Sequence, residues 1–338
     1  MNILVFGGSG FIGSDFISRF SQKFNTIYLA SRSKALRTNY KNVRHVPLSD
    51  VNGLSGINLV LHFAFDHSYK DNLLLADSAY YVCCKNSCPL IYFSSFVVRD
   101  VMDPHLPKDS RSNLYDPYTL EKIRVKNYLE AVFSERNLPL IQIEPGIVYG
   151  KNGSWFDHVK GALNHASICL PNNGHNKAPF IYVGELTHFI YEKIFNTLPK
   201  NFSSERLLVS GALINTWRQF YLLYSGLASK HLKVRSITSR LLHRHSSYHI
   251  LMYLIIFTPL GRLLFFITPM LKNIFRTKSI ASDEKNSDRH NVRYVDDYRS
   301  YGITYVLQNT NYILDYDLPD ICIANFNIFN LNSIMKDV

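Results

Sequence analysis

This sequence lacks apolar runs of membrane-spanning length and paired cysteine patterns. Over one long stretch it also lacks acidic residues. Its five cysteines are an odd number in 338 residues, and no signal peptide precedes the first apolar segment. This usage predicts a cytoplasmic protein with reduced thiols. Cys83, Cys84 and Cys88 lie near the end of a predicted helix, and the other two cysteines are single and distant. We therefore expect buried or inert thiols and no metal site.

No aspartate or glutamate occurs from Arg206 to Ser282, a stretch of 77 residues with eleven lysines and arginines. The rest of the chain carries 26 basic and 26 acidic residues, so the net charge of +11 belongs to this stretch. Apolar residues make up 46% of the whole chain, which excludes a disordered protein. The basic excess therefore needs a local explanation within a folded protein.

The basic apolar segment, residues 228–280, contains two apolar runs, Ile250–Leu260 and Leu263–Leu271, with Arg262 between them. A spanning helix needs about 20 continuous apolar residues, and a central arginine costs about 2.5–3.5 kcal/mol. The basic flanks instead predict peripheral contact with the anionic inner face of a membrane. The alternative is a buried helix pair whose basic side chains face a sugar diphosphate. Nucleic acid is not an expected partner, because the segment is aliphatic and has no known binding motif.

The chain opens with an apolar strand that runs directly into a glycine-rich turn and then a helix. Gly7 permits the tight turn, Gly10 lets backbone N–H groups approach a pyrophosphate, and Gly13 lets the helix pack closely on the strand. The helix that follows, from about Phe11 to Phe20, directs the positive end of its dipole at the phosphates. A strand, this glycine spacing and a helix together predict a dinucleotide-binding site.

Strands and helices alternate through the first half of the chain at the spacing of α/β proteins. The pattern predicts a Rossmann-type doubly wound parallel sheet with a smaller C-terminal α/β substrate domain. Residues 1–150 are the predicted NAD(P)-binding domain, with later elements around 180–200 contributing. Residues 151–338 are the predicted substrate-binding region and include the basic apolar segment. Leu90–Ser94, Leu140–Ile143 and Phe180–Val183 are among the predicted strands, and a helix is predicted from Pro117 to about Arg136.

Three polar residues occupy positions suited to redox catalysis. Ser95 follows the fifth predicted strand, at the carboxyl edge where ligands bind in open α/β sheets. Tyr118 and Lys122 are four residues apart on a predicted helix, so they share one face. A free tyrosine has a pKa of about 10, and a nearby lysine charge lowers it by favouring the phenolate.

On these motifs the chain resembles the extended short-chain dehydrogenases/reductases of the NAD-dependent epimerase/dehydratase family. The resemblance covers residues 1 to about 220. Leu61–Ala64, Pro145–Gly150 and Ile181–Glu185 are also similar to stretches of that family.

The resemblance implies that Tyr118 is the acid/base for a sugar hydroxyl or ketone and that Ser95 hydrogen-bonds the same oxygen. Lys122 would bind the nicotinamide ribose and tune Tyr118, and the helix that carries them would form a homodimer. The implied cofactor contacts are Gly7, Gly8, Ser9, Gly10, Phe11, Ile12, Gly13, Ser31, Arg32, Phe63, Ala64, Tyr118, Lys122, Pro145, Gly146, Ile147 and Val148.

Departures from the family pattern narrow the expected reaction. Dehydratases follow the catalytic Ser/Thr with Asp-Glu, whereas this chain has Phe96 and Val97, which cannot titrate, so we do not expect dehydration. NAD-preferring members carry an acid at the end of the second strand. Arg32 stands there instead and can pair with a 2′-phosphate, which favours NADP over NAD; a solvated loop arginine is the alternative. Glu144 stands where the family often has arginine.

We therefore expect an NAD(P)-dependent sugar epimerase or reductase of cell-surface polysaccharide biosynthesis. Its substrate would be a nucleotide-diphosphate or polyprenyl-diphosphate sugar. The alternative is a non-catalytic NADP-binding regulatory or scaffold protein of the same fold. Retention of Ser95, Tyr118 and Lys122 favours the enzyme.

Overall fold

A computed structural model describes residues 1–32, 40–98, 117–175, 178–197, 204–211 and 214–236, with two short strands at 293–294 and 321–324. Within these ranges the strands are β1 (Asn2–Phe6), β2 (Thr26–Ser31), β3 (Val43–Pro47), β4 (Leu59–His62), β5 (Leu90–Phe93), β6 (Leu140–Pro145), β7 (Ile147–Tyr149), β8 (Ser167–Leu170), β9 (Phe180–Tyr182), β10 (Glu205–Gly211), β11 (Lys233–Ser236), β12 (Arg293–Tyr294) and β13 (Ile321–Ala324). The α-helices are α1 (Phe11–Phe20), α2 (Asn72–Asn86), α3 (Pro117–Glu135), α4 (Ser154–Asn164), α5 (Val183–Thr197) and α6 (Trp217–Leu227).

The main sheet has eight strands in the order β3-β2-β1-β4-β5-β6-β10-β13, and every pair in it is parallel. The strand order reverses beside β1, which leads to β2 on one side and lies next to β4 on the other. A crevice forms at the carboxyl edge of such a sheet where the order reverses, and ligands bind there. The predicted Rossmann-type doubly wound sheet is confirmed.

Alternate residues of the strands point to opposite faces of the sheet, and both faces are apolar. Ile3 and Val5 pack in a cluster with residues of α1 and α5, whereas Leu4 and Phe6 pack in a second cluster with α2 and α3. All four side chains are 0–1% exposed. Helices therefore cover both faces and leave the strand ends as the place for polar chemistry.

A smaller α/β layer lies beside the main sheet and contains β7, β8, β9, β11, β12, α4 and α6. β7 pairs with β9, while β8 pairs with both β11 and β12. Trp217 and Phe220 of α6 pack with Phe156 and Val159 of α4 in a third apolar cluster. β10 and β13 return to the main sheet, so late parts of the chain complete the sheet begun by residue 2.

Element boundaries differ from the sequence prediction by a few residues. β6 extends to Pro145, because pairing with β10 continues to Val209 opposite Pro145. β5 ends at Phe93, one residue before the predicted end, and leaves Ser94 and Ser95 beyond the strand.

The basic apolar segment, residues 228–280, lies outside the described residues from residue 237 onward. Of the helices that the structure does describe, none is long and apolar enough to cross a membrane. Cys83 and Cys88 are buried free thiols, and Cys84 is a half-buried one.

Gly146 is expected to be essential to the stability of the fold. A Cβ at this position would lie 1.8 Å from the carbonyl oxygen of Pro179, which already accepts a hydrogen bond from the backbone N–H of Ile147. Because the backbone must shift, we expect Gly146→Ala to lower the free energy of unfolding by about 1–3 kcal/mol. Urea denaturation measures this change.

Gly226, in α6, is the matched control, because a Cβ there meets no atom within 4 Å. Alanine is favoured over glycine in a helix by roughly 0.5–1 kcal/mol, so Gly226→Ala is expected to stabilise the protein. Equal effects of the two substitutions would contradict the close contact at Gly146.

Candidate active site

The turn between β1 and α1 is so tight that glycine is required at both ends. Gly7 has a φ of +74°, and a Cβ on it would lie 2.5 Å from the backbone nitrogen of Ala64. A Cβ on Gly13 would lie 2.4 Å from the carbonyl oxygen of Gly7. The predicted roles of these two glycines in the turn and in helix packing therefore match the geometry.

The N-terminus of α1 is open to a negatively charged ligand. Its N-cap, Gly10, offers no side-chain hydrogen bond, and the first turn contains no acidic residue. Ser9 and Gly10 are exposed, whereas Gly8 is buried beneath them. Backbone N–H groups at a helix start, aligned with the positive end of its dipole, fit a pyrophosphate. The cradle required for a dinucleotide is thus present in the described residues.

Phe11 and Ile12 join this turn to the smaller layer. Both are half-buried against its apolar cluster. A Cβ on Gly153 would lie 2.8 Å from the Phe11 ring. Phe11 therefore packs on the backbone that follows β7, and its side chain has a structural role as well as a place at the helix start.

An acidic residue that the sequence analysis missed lies beside Arg32. The exposed guanidinium of Arg32 has Nη1 3.8 Å from Oδ1 of the buried Asp66. Asp66 accepts hydrogen bonds from the hydroxyl and the backbone N–H of Ser68, and the hydroxyl bond is the main cause that lowers its pKa. Ser31, at the end of β2, is half-buried next to Arg32. The end of β2 thus carries a cation next to a fixed carboxylate from the segment after β4.

Phe63 and Ala64, both predicted cofactor contacts, lie beside Gly7 through their backbone, while the Phe63 ring packs in the apolar core. The ring of Phe63 packs on Phe16 and Phe93, with centroids 5.9 and 4.5 Å away. Ala64 instead lies against Gly7 at the sheet edge. The Phe63 ring therefore supports the core beneath the site, and Ala64 borders the turn itself.

Tyr118 and Lys122 lie one turn apart on α3, as their spacing predicts. Nζ of Lys122 is 5.8 Å from the centroid of the Tyr118 ring. The same Nζ donates a hydrogen bond of 2.7 Å to the carbonyl oxygen of Phe93, the last residue of β5. Since Ser95 follows Phe93 by two residues, this bond brings the three predicted catalytic residues to one part of the sheet edge.

Burial lowers the pKa of Lys122 and that of His62, which lies near it. Lys122 is 4% exposed, and desolvation lowers its pKa to about 7. His62, at the end of β4, is also buried, and burial followed by the Lys122 charge lowers its pKa to about 3. The imidazole of His62 is therefore neutral at physiological pH, and it stacks on Phe6.

The residues after β5 are buried and mostly apolar. Ser94 donates its backbone N–H to Ile143, and among the described residues its buried hydroxyl finds no hydrogen-bond partner. Ser95 is 8% exposed. Phe96 and Val97 belong to the apolar cluster of the smaller layer. The positions that hold Asp-Glu in dehydratases are thus apolar packing positions in this chain.

The segment after β6 is held on both sides by backbone hydrogen bonds. Gly146 N–H donates to Val209, and Ile147 N–H donates to Pro179 at 2.6 Å. Pro145 and Ile147 are buried, whereas Val148 is half-buried between two apolar clusters. This rigid segment lies beside Ser95, because the backbone N–H of Phe96 donates to the Pro145 carbonyl.

Glu144 has a partner that its sequence position did not reveal. It is fully buried in β6, and its Oε1 accepts hydrogen bonds from Nη2 (2.6 Å) and Nε (3.1 Å) of Arg206 in β10. The arginine comes 62 residues later in the chain. The unexpected carboxylate is therefore one half of an ion pair between neighbouring strands.

The fold and the glycine turn are those of a Rossmann-type dinucleotide-binding protein. The sequence profile described as the NAD dependent epimerase/dehydratase family matches residues 3–194. The chain belongs to this family, and the expectation of an NAD(P)-dependent enzyme is confirmed at that level.

Solved structures with the same fold include several epimerases. A UDP-N-acetylglucosamine 4-epimerase from Methanobrevibacter ruminantium, in complex with UDP-N-acetylmuramic acid, is 18% identical, with a TM-score of 0.55 over 70% of this chain and 84% of that chain. A UDP-glucose 4-epimerase from Thermus thermophilus, in complex with NAD, is 18% identical, with a TM-score of 0.51 over 71% of this chain and 91% of that chain. No curated protein matches the sequence.

The buried Lys122 is expected to destabilise the protein in a pH-dependent way. Its pKa is about 7 in the folded protein and 10.5 ordinarily. Between these values the unfolded chain holds a proton that the folded chain lacks, so stability rises with pH. Lys122→Met should raise the free energy of unfolding by roughly 1–3 kcal/mol at pH 7, and the gain should shrink toward pH 10.

Urea denaturation from pH 6 to pH 10 measures this effect. Lys126→Met is the control on the same helix, because Lys126 is also buried but forms an ion pair of 2.7 Å with Glu130. The control should destabilise the protein. A Lys122→Met variant less stable than the wild type at pH 7 would contradict the desolvation of Lys122.

Proposed function

We propose that this protein is an NAD(P)-dependent sugar epimerase or reductase that acts on a diphosphate-linked sugar. The observation that carries the proposal is the buried Lys122, which contacts the Tyr118 ring and hydrogen-bonds the backbone that leads to Ser95. A lysine of lowered pKa next to a tyrosine at a nucleotide-binding edge is costly to bury, which supports a functional role.

In the proposed reaction Tyr118 moves a proton and Ser95 orients the reacting oxygen. The Tyr118 Oη accepts the proton of a sugar hydroxyl, or returns one to a sugar ketone, and the Ser95 hydroxyl hydrogen-bonds the same oxygen. The protonated form of Lys122, which prevails below its pKa of about 7, stabilises the phenolate of Tyr118. Bound NAD(P) would supply the hydride transfer, which no side chain can perform.

The proposed cofactor site runs along the carboxyl edge of the main sheet. Residues 7–13 would hold the pyrophosphate, and the Pro145–Val148 segment would lie along the nicotinamide end. Residues 1–150 would supply most of this site, and residues 151–338 would bind the sugar. The apolar cluster that contains Phe156 and Trp217 supports a preformed second region.

UDP-sugars are the substrate class that the related structures support best. The epimerases named above act on UDP-linked sugars, and we propose a nucleotide-diphosphate sugar for this chain as well. The side chains of Phe96 and Val97 have no proton donor or acceptor, which supports epimerisation or reduction over dehydration.

The setting that we propose is polysaccharide biosynthesis at the cytoplasmic face of a membrane. The charge pattern of the basic apolar segment supports peripheral membrane contact, and such a location would also suit a polyprenyl-diphosphate sugar. A homodimer through α2 and α3 is supported by two large exposed apolar side chains on α2, Leu74 (65% exposed) and Tyr81 (50% exposed).

The proposal predicts that Tyr118→Phe lowers kcat about 10²–10⁴-fold and leaves the Kd for NAD(P) nearly unchanged, because only the proton carrier is removed. Turnover is measured by chromatography of a panel of UDP-sugars, each with and without added NAD(P)H. Conversion without added cofactor identifies an epimerase, and a strict need for reduced cofactor identifies a reductase.

Tyr128→Phe is the control, because Tyr128 lies on the same helix and hydrogen-bonds Asp77 instead. It should leave kcat unchanged. A Tyr118→Phe variant with wild-type kcat would exclude the mechanism. A wild-type protein that binds NADP but converts no sugar in the panel would instead favour the regulatory alternative.

Arg32 is expected to set the preference for NADP. Its guanidinium can pair with the 2′-phosphate, so wild-type protein should bind NADP more tightly than NAD. Because hydrogen bonds to charged groups contribute about 1.5–3 kcal/mol, Arg32→Ala should weaken NADP binding by about 10- to 100-fold and hardly affect NAD.

Calorimetric titration with each dinucleotide measures the preference. Arg44→Ala is the control for loss of a positive charge, since Arg44 is exposed on the neighbouring strand β3. Tighter binding of NAD by the wild type, or an equal loss for both dinucleotides in Arg32→Ala, would show that Asp66 outweighs Arg32.

A further inference from the structure

Phe65 covers the two groups that the proposed function assigns to the nicotinamide end of the cofactor. Its ring lies edge-to-face on the Tyr118 ring, with centroids 4.9 Å apart. Nζ of Lys122 lies over the same Phe65 ring, 4.6 Å from its centroid. One side chain therefore contacts both the proposed acid/base and the proposed ribose-binding ammonium.

The ammonium of Lys122 has little room for a further ligand in this conformation. Besides its hydrogen bond to the Phe93 carbonyl, Nζ is flanked by the rings of Phe65, Tyr92 and Tyr118, at 4.6, 5.4 and 5.8 Å. The residue is 4% exposed. A ribose hydroxyl can reach Nζ only if one of these three rings moves.

Phe65 is the ring that can move at least cost. Tyr92 is 1% exposed in the central strand β5, and its movement would disturb the core. Tyr118 must stay beside Lys122 to act as the acid/base. Phe65 is half-buried in the segment between β4 and α2, where its other ring contacts are edge-on with His67 and Tyr69.

The backbone on both sides of Phe65 is fixed, so the movement is confined to the side chain. Ala64 lies against Gly7, and the backbone of Asp66 exchanges two hydrogen bonds, of 2.7 and 3.0 Å, with the Asn72 side chain. A movement that uncovers Lys122 would therefore be a rotation of the Phe65 side chain and not an opening of the loop.

We propose that the Phe65 ring lies where the nicotinamide-side ribose binds, and that it rotates away each time a dinucleotide enters. Phe65 thereby sets the affinity for the nicotinamide half of the cofactor, while the adenosine half binds independently of it. This inference rests on the proposed cofactor site and adds a residue that competes with the cofactor for Lys122.

Calorimetric titration of NAD, NADP and ADP tests the proposal. Phe65→Ala removes an aromatic pair and a cation–π contact that dinucleotide binding must break, so both dinucleotides should bind about 3- to 30-fold more tightly. ADP, which lacks the nicotinamide half, should bind with unchanged affinity. Phe195→Ala is the control for loss of an aromatic ring: Phe195 is 40% exposed on α5 and packs on Phe24 and Tyr191, so this variant should bind all three ligands like the wild type.

Unchanged or weaker dinucleotide binding by Phe65→Ala would overturn the proposal, as would an equal gain for ADP.

The same titrations distinguish failure of the proposed cofactor site from failure of the proposed role of Phe65. Wild-type protein that binds neither dinucleotide nor ADP would remove the proposed cofactor site, and the Phe65 inference with it. Wild-type protein that binds all three, without the expected effect of Phe65→Ala, would remove only the role of Phe65.

Discussion

The hydrogen bond from Lys122 to the Phe93 carbonyl is the contact on which the candidate site depends. It joins α3, which carries Tyr118, to β5, which leads to Ser95, so it fixes the proposed acid/base relative to the proposed oxygen-binding hydroxyl. The bond lies in an apolar environment, where an unpaired ammonium is strongly disfavoured. The carbonyl oxygen and the surrounding aromatic rings compensate for part of the lost hydration. Burial thus lowers the pKa of Lys122, and the hydrogen bond fixes its position.

The rest of the sheet edge is organised by close backbone contacts. Gly7 lets the chain after β4 approach the turn, and Gly13 lets α1 begin directly above it. Gly146 has the same function on the other side of Ser95, where it admits the Pro179 carbonyl. Because these contacts involve backbone atoms, side-chain rearrangement cannot relieve a substitution. A ligand at this edge therefore contacts a rigid backbone surface. The half-buried side chains above that surface are the parts that can adjust.

The sequence predicted the parts of the site whose residues are close together in the chain. The spacing of Gly7 to Gly13 implies a turn and a helix start, and the four-residue interval from Tyr118 to Lys122 implies one helical face. Asp66 beside Arg32 could not be predicted in this way, because two strands that are not sequence neighbours bring them together. The contact of Phe65 with Tyr118 depends on the β4 segment meeting α3. The hydrophobic periodicity of one strand or helix carries no information about which other element packs against it.

The ion pair between Glu144 and Arg206 constrains the order in which parts of the chain can fold. Glu144 is completely enclosed in β6, and its partner belongs to β10. During synthesis on a ribosome, β6 emerges 62 residues before the guanidinium that neutralises it. Removing one partner of a buried ion pair costs about 3–5 kcal/mol. β6 therefore reaches its fully buried environment only once β10 has docked beside it.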